Sequence, residues 1–232
     1  MKVAVIDSGI DAEHTAVGGH LGGYDALTDG PLGLLHDTEP HGDSYGHGTA
    51  CAGIVRSLAP ECELYSVKVL GSRLTGRGTT FAAGLRWAIE NGMDVCNVSM
   101  GTTKKIFFAA PHDLADKAYF RNTVLVTAAN NMPAPSFPSL YSSVVSVASH
   151  DGKDLYLFYY NPSPPVEFGA PGIDVTVAWA DGGWITATGN NFAAPHISGI
   201  AAKILGKHPG LTPFQMKTVL RVLSANMPRA DV

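Results

Sequence analysis

Three short segments of the sequence carry side chains that could take part in acid–base chemistry. The first apolar run ends in Asp7, and a carboxylate at the end of a parallel strand can orient an imidazole and stabilise its charged form. His47 lies between two glycines, where a helix of small residues is predicted to begin. Asn191 lies in a turn that leads into a later helix. An aspartate and a histidine are sufficient for a general base, provided that the fold brings them together.

Each segment also has a purely structural interpretation. Asp-Ser-Gly after a strand is commonly an ordinary turn, and a histidine can cap a helix. Asparagine is among the preferred residues at helix starts, and this capping role is the interpretation that we favour for Asn191. The glycines beside His47 favour a functional role there, because they let other backbone segments approach the imidazole closely.

The elements that would carry these residues alternate between strands and helices. Apolar runs rich in β-branched residues predict strands over 2–6, 64–70, 95–98, 124–127 and 144–148. Helical patterns predict helices over 48–57, 79–91, 112–119, 192–206 and 212–223; in the last, Thr212 and Gln215 form a capping box around Pro213. The alternation predicts an α/β fold with a mainly parallel sheet. The turn-rich segment 152–183 predicts strands and loops laid over that domain.

Composition favours one soluble domain covering residues 1–232. The chain has 45% hydrophobic and 16% charged residues, which is enough for a core buried on both faces of a sheet. Its net charge of −4 comes from scattered residues, so nucleic acid is not an expected partner. No apolar run reaches the roughly 20 residues that span a bilayer, and no leader precedes the first strand. Cys51, Cys62 and Cys96 form no CxxC pattern, which predicts reduced, buried thiols and a cytoplasmic location.

The three segments together resemble the subtilase family, the subtilisin-like serine proteases. The family carries an aspartate, a histidine and a serine in this chain order, in motifs that match Asp7-Ser8-Gly9, His47-Gly48-Thr49 and 189–195. The similarity covers nearly all of the chain and continues in the segments 64–70, 87–89, 94–101, 170–172 and 208–209. It implies a three-layer, subtilisin-like fold with a twisted, mainly parallel sheet and helices on both faces.

The resemblance places Asn191 at the position of the nucleophilic serine, and Asn190 where the family has a threonine. A serine hydroxyl can give its proton to the histidine and attack, whereas a carboxamide nitrogen is delocalised and barely basic. No neighbour offers a replacement, since Thr188 lies three positions earlier and Ser198 lies well inside the helix. The sequence therefore predicts an inactive serine endopeptidase homologue that binds an extended peptide, a partner protease or another partner in peptide maturation without cutting it.

An alternative is an active subtilisin-type protease that processes a peptide precursor. It requires that the serine was lost by engineering or that a nucleophile is supplied in another way. A purely structural role, such as the silent half of a heterodimer, is a further alternative.

The resemblance implies roles for other residues. Asn131 matches the asparagine that donates to the oxyanion of the reaction intermediate. Two segments match the edges between which the family holds an extended substrate by strand addition: Leu74-Thr75-Gly76 and Ser99-Met100-Gly101. Phe137-Pro138 matches a Tyr-Pro bond of the family that is often cis.

We expect neither a cofactor nor a metal ion. Only residues 56–58 remain where many subtilisins carry a longer, calcium-binding loop, so no such calcium site is predicted. A competing metal-site hypothesis comes from the run of His36, Asp37, His41, Asp43 and His47. Its spacing fits neither a helical i, i+4 pair nor a zinc-finger pattern.

Overall fold

A computed structural model describes residues 1–19, 22–25, 42–105 and 109–228. Within them, the main sheet has the strand order β2-β3-β1-β4-β5-β6-β8-β7. Neighbouring strands are parallel except for β7 and β8, which are antiparallel. The strands are β1 (Lys2–Asp7), β2 (Gly22–Asp25), β3 (Glu63–Lys68), β4 (Val95–Val98), β5 (Val124–Ala128), β6 (Val145–His150), β7 (Tyr159–Tyr160) and β8 (Phe168–Pro171).

Helices cover both faces of this sheet. They are α1 (His47–Leu58), α2 (Gly78–Glu90), α3 (Ala109–Phe120), α4 (Asn190–Lys207) and α5 (Pro213–Leu223). Successive side chains of a strand point to opposite faces. Val3 and Val5 therefore pack in the core with α1, α4 and α5, whereas Ala4 and Ile6 pack in a second core with α2 and α3. The predicted three-layer α/β architecture is confirmed.

The predicted elements form with small changes in their bounds. All five predicted strands and all five predicted helices are present, and no boundary moves by more than three residues. The capping box between Thr212 and Gln215 is present, with Pro213 in the first turn of α5.

The segment 152–183 differs from its prediction in one respect. Its β8 extends the main sheet beside β6 and does not lie over the domain. A separate hairpin, β9 (Val175–Trp179) and β10 (Gly183–Ala187), does lie outside the main sheet, and Ala178 packs against Gly53 of α1.

The three cysteines are buried and form no disulfide, as predicted. Among the described residues, none of the helices has the length and apolar character needed to cross a membrane.

Candidate active site

The carboxyl end of β1 places Asp7 in the middle of the sheet, between β3 and β4. Its carboxylate faces the imidazole of His47, with Oδ2 at 2.8 Å and Oδ1 at 3.0 Å from Nδ1. Oδ1 also accepts a hydrogen bond from the backbone N–H of Ser8 at 2.8 Å. The side chains of Asp7 and His47 are only 1% and 4% exposed, so water screens their interaction weakly.

Gly48 allows α1 to approach β1 closely enough for this contact. A methyl group at Gly48 would overlap the carbonyl oxygen of Gly9 and lie 3.2 Å from Cβ of Asp7. Phe192 of α4 supports the imidazole of His47 from another side, with ring centroids 5.1 Å apart. The prediction that small residues beside His47 permit close backbone approach is confirmed.

Asp43 supports the start of α1. The N-cap residue Gly46 has no side chain, and the first N–H groups of a helix need acceptors. The carboxylate of Asp43 accepts from the backbone N–H groups of Gly46 and Thr49, both at 2.8 Å. It also accepts from the hydroxyls of Ser8 and Thr49, both at 2.7 Å, and from the N–H of Tyr45 at 2.9 Å.

These bonds give Asp43 a structural role, and the metal-site hypothesis is wrong for this residue. Its lone pairs are taken by the helix start, and His47 turns towards Asp7. His36, Asp37 and His41 lie outside the described residues.

Two opposing influences act on the pKa of His47. Burial is the largest single influence and lowers it, but the negative charge of Asp7, the hydrogen bond to Asp7 and the contact with Cys51 together raise it by more, so the pKa lies well above the ordinary histidine value. The pair has the geometry in which a carboxylate orients an imidazole through Nδ1 and leaves Nε2 free to face a reacting group.

Asn191 occupies the position in front of Nε2. Its Nδ2 lies 2.5 Å from Nε2 of His47, and its Oδ1 accepts from Nδ2 of Asn131 at 3.4 Å. The N-cap of α4 is Gly189, which makes no side-chain capping bond, and Asn191 is the second residue of the helix. The capping interpretation of Asn191 is therefore wrong, because its side chain turns into the site.

Hydrogen bonding fixes the orientation of these amides. Oδ1 of Asn131 accepts from the backbone N–H of Asn190 at 2.8 Å, so the amino group of Asn131 must face Asn191. Asn191 then presents Oδ1 to Asn131 and its amino group to His47. Nε2 of a neutral His47 accepts this bond. In an imidazolium Nε2 also carries a proton, so the N–H of His47 and the amino group of Asn191 would face each other as two donors. The orientation of Asn191 described above is therefore that of neutral His47, which is reached as pH rises through the raised pKa. Protonation of His47 requires the Asn191 amide to turn over.

The side chain of Asn190 ties three segments together. Its Oδ1 accepts from the N–H and the hydroxyl of Ser149, both at 2.8 Å. Its Nδ2 donates to the carbonyl groups of Ala129 at 3.3 Å and Asn130 at 2.9 Å. These bonds hold the loop before Asn131 against the end of β6. Sequence reasoning noted that Asn190 replaces a threonine of the family but gave it no role.

The segment 99–101 lies beside the site. Ser99 directly follows β4, and its hydroxyl accepts from Nδ2 of Asn97 at 2.8 Å. Within the described part of the chain, no hydrogen bond meets the main chain of Met100 or Gly101. A pocket of about 330 Å³ adjoins this segment and Asn191, with a lining from 99–104, 128–131 and Ser136.

The second predicted edge, Leu74-Thr75-Gly76, follows β3 on the other side of β1. It forms a turn in which the N–H of Gly71 donates to the carbonyl of Thr75 at 3.1 Å, and Leu74 has a φ of 51°. These residues do not line the pocket beside Asn191. The predicted cis bond between Phe137 and Pro138 is present.

Cys51 lies beside the site, although the sequence analysis predicted it only as a buried thiol and gave it no place in the site. It lies one helical turn after His47, and its Sγ is 3.9 Å from Nδ1 of His47 and 3.4 Å from the hydroxyl of Ser99. Asp7, His47 and Cys51 offer ligand atoms within 4.8 Å of one another, a spacing that could hold a metal ion. In the described structure these atoms instead form hydrogen bonds.

Comparisons with known proteins identify the family. Residues 1–228 match the family model described as the subtilase family. The chain is 31% identical to subtilisin DY of Bacillus licheniformis, over 98% of this chain and 84% of that protein. It is 33% identical to the minor extracellular protease Epr of Bacillus subtilis, over 95% of this chain but only 34% of that protein. The chain therefore belongs to the subtilase family of serine peptidases.

Solved structures give the same result for the fold. A cold adapted subtilisin-like serine proteinase has a TM-score of 0.78 and 26% identity, covering 95% of this chain and 80% of that one. A lanthipeptide protease has a TM-score of 0.79 and covers 99% of this chain and 81% of that one. Its identity is 23%, so this likeness concerns the fold alone.

Proposed function

We propose that this chain is a subtilase that binds an extended peptide and does not cleave it. One observation carries the proposal: Nε2 of His47 faces the carboxamide nitrogen of Asn191, where a serine protease needs a hydroxyl. A base can act only on a group that it can deprotonate and that then attacks. The amide nitrogen of Asn191 is a poor acid and a poor nucleophile, because its lone pair is delocalised into the carbonyl.

Peptide binding needs less of the site than cleavage does. An extended chain could pair with the main chain of Met100 and Gly101, which takes part in no hydrogen bond with the described residues, and place a side chain in the adjacent pocket. The proposed ligand is a peptide, an exposed segment of an active protease or another partner in peptide maturation. The chemistry requires no cofactor, and we propose a cytoplasmic setting because the cysteines are unpaired.

An active peptidase is the second candidate, and the Asp7–His47 pair favours it. The two side chains are buried and hydrogen-bonded as a working general base would be. Only the group in front of Nε2 separates the two candidate functions.

Replacement of Asn191 by serine distinguishes the two candidate functions. The wild-type chain and Asn191→Ser are incubated with the same mixed peptide pool, and the products are identified by mass spectrometry. We expect no products from the wild type and specific cleavage by Asn191→Ser, because loss of the serine costs subtilisin about 2 × 10⁶ in kcat. Asn191→Ser combined with His47→Ala is the control for a contaminating protease. Equal turnover by the wild type and Asn191→Ser would refute the proposal.

A further inference from the structure

We infer that Asn191 determines which part of a peptide the cleft can accept, because its carboxamide fills the place of a ligand's carbonyl group. This inference rests on the proposed function and goes beyond the loss of a nucleophile. The cleft would hold a peptide while the peptide's carbonyl is kept away from the N–H of Asn131 that points towards Asn191.

The two ends of the Asn191 amide face two different groups of the site. Oδ1 accepts from Nδ2 of Asn131, and Nδ2 faces Nε2 of His47. In acyl transfer, the carbonyl oxygen points to the oxyanion donors and the leaving nitrogen receives a proton from the histidine. While His47 is neutral, the side chain of Asn191 thus presents an oxygen and a nitrogen to the same two partners as a scissile amide would.

Both ends of the Asn131 amide are engaged, and the N–H of Nδ2 that points towards Asn191 is already donated. Its Oδ1 is bound to the backbone N–H of Asn190 at 2.8 Å, and its Nδ2 is bound to Asn191. Rotation of Asn131 towards a ligand would break the shorter of these bonds. A ligand carbonyl could reach the N–H that points towards Asn191 only by displacing the Asn191 carboxamide.

Packing also holds the Asn191 carboxamide in this position. Its Oδ1 lies over Gly189, where even a methyl group would overlap it. The bonds of Asn190 to Ala129 and Asn130 hold the loop that carries Asn131. The carboxamide therefore sits between a glycine surface and a loop that is held in place, and does not project freely into solvent.

Truncation of Asn191 should open this position to ligands. A peptide that binds Asn191→Gly can place a carbonyl against Nδ2 of Asn131 and gain a hydrogen bond that the wild type denies it. We expect this peptide to bind Asn191→Gly about tenfold more tightly than the wild type, the gain of roughly one hydrogen bond.

The experiment uses fluorescein-labelled peptides that are selected from a random display library on the wild-type chain. Their dissociation constants are measured by fluorescence anisotropy for the wild type and Asn191→Gly, at a pH above the raised pKa of His47. Asn131→Ala is then added to each background. The gain should be lost when Asn131→Ala is combined with Asn191→Gly, whereas Asn130→Ala in the same background should keep it. Asn191→Ala repeats the test if Asn191→Gly does not unfold cooperatively.

The outcomes separate the inference from the proposed function. If neither library selection nor anisotropy detects peptide binding to any variant, the proposed function fails. If peptides bind the wild type and bind Asn191→Gly and Asn191→Ala equally or more weakly, the inference fails and the proposed function stands. A gain that survives Asn131→Ala would also overturn the inference, because it could not come from a freed Asn131.

Discussion

The two halves of the site differ in chemistry and in the way they are held. The aspartate–histidine half, Asp7 and His47, is buried, carries charge and is placed by the close approach of α1 to β1. The asparagine half, Asn131, Asn190 and Asn191, consists of neutral amides that are more exposed and bind one another. A site can therefore keep the machinery of a general base while the group in front of it has changed. The proposed inactivity is local to one side chain.

The largest expected effect tests whether the aspartate–histidine half still works. In the Asn191→Ser background, Asp7→Asn should lower kcat for peptide cleavage by roughly 10⁴, because the amide no longer holds the imidazole in the required tautomer. Steady-state kinetics on a peptide cleaved by Asn191→Ser measures this loss. Glu13→Gln, an exposed change nearby in the sequence, is the control. A loss below about tenfold would mean that restored activity does not use Asp7.

The next effect tests the asparagine half in the same background. Asn131→Ala should lower kcat by about 10² to 10³, because it removes a donor to the oxyanion. Asn130→Ala is a matched control, since Oδ1 of Asn130 accepts from the N–H of Met132 and not from a group of the site. Equal losses in the two variants would assign the effect to the loop and not to the Asn131 amide.

A smaller effect concerns the bonds of Asp43 to the start of α1, the helix that carries His47. Asp43→Ala should lower the free energy of unfolding by about 2 kcal/mol, because it leaves the first N–H groups of α1 without their acceptor. Urea unfolding followed by circular dichroism measures the change. Asp11→Ala removes a carboxylate that accepts a single local bond from Glu13, and should change stability by no more than about 0.5 kcal/mol. Similar values for both variants would contradict the role given to Asp43.

The smallest effect is a dependence of stability on pH. The pKa of His47 in the folded chain is raised, so the stabilisation from its charged form is complete below the ordinary histidine pKa of 6.5. It is lost as pH rises through the raised pKa of the folded state. Asp7→Asn removes the charge that raises the pKa, so the stability difference between wild type and variant should shrink as pH rises through this window. A difference that grows with pH would contradict the assignment.

Much of the fold could be predicted from the sequence, because buried strands and amphipathic helices leave local patterns. The strands outside the five predicted ones could not be placed, and β8 and β2 show why. β8, Phe168–Pro171, contains glycine and proline and resembles a turn, yet it forms a strand because β6 offers it a parallel edge. β2, Gly22–Asp25, is short and forms by pairing with β3. In both cases the segment forms a strand because it pairs with a strand that is distant in the sequence.

The site shows the same division between local and distant causes. Asp7 and His47 could be predicted from motifs that also contain the glycines that bring them together. The orientation of Asn191 could not, because local preference favours a cap while Asn131, sixty residues away in the sequence, holds its amide in the site. Asp43 was placed in a metal hypothesis by its neighbours in sequence, although its partners are N–H groups that exist only once α1 has formed.

The most direct test of the central claim is covalent labelling with a fluorophosphonate, which reacts with activated serines. Intact-mass spectrometry would compare the wild-type chain with Asn191→Ser after the same exposure. We expect no adduct on the wild type and an adduct at the substituted position of Asn191→Ser, which forms more slowly when Asp7→Asn is added. An adduct on any residue of the wild-type cleft would contradict the claim that this subtilase binds peptides without cutting them.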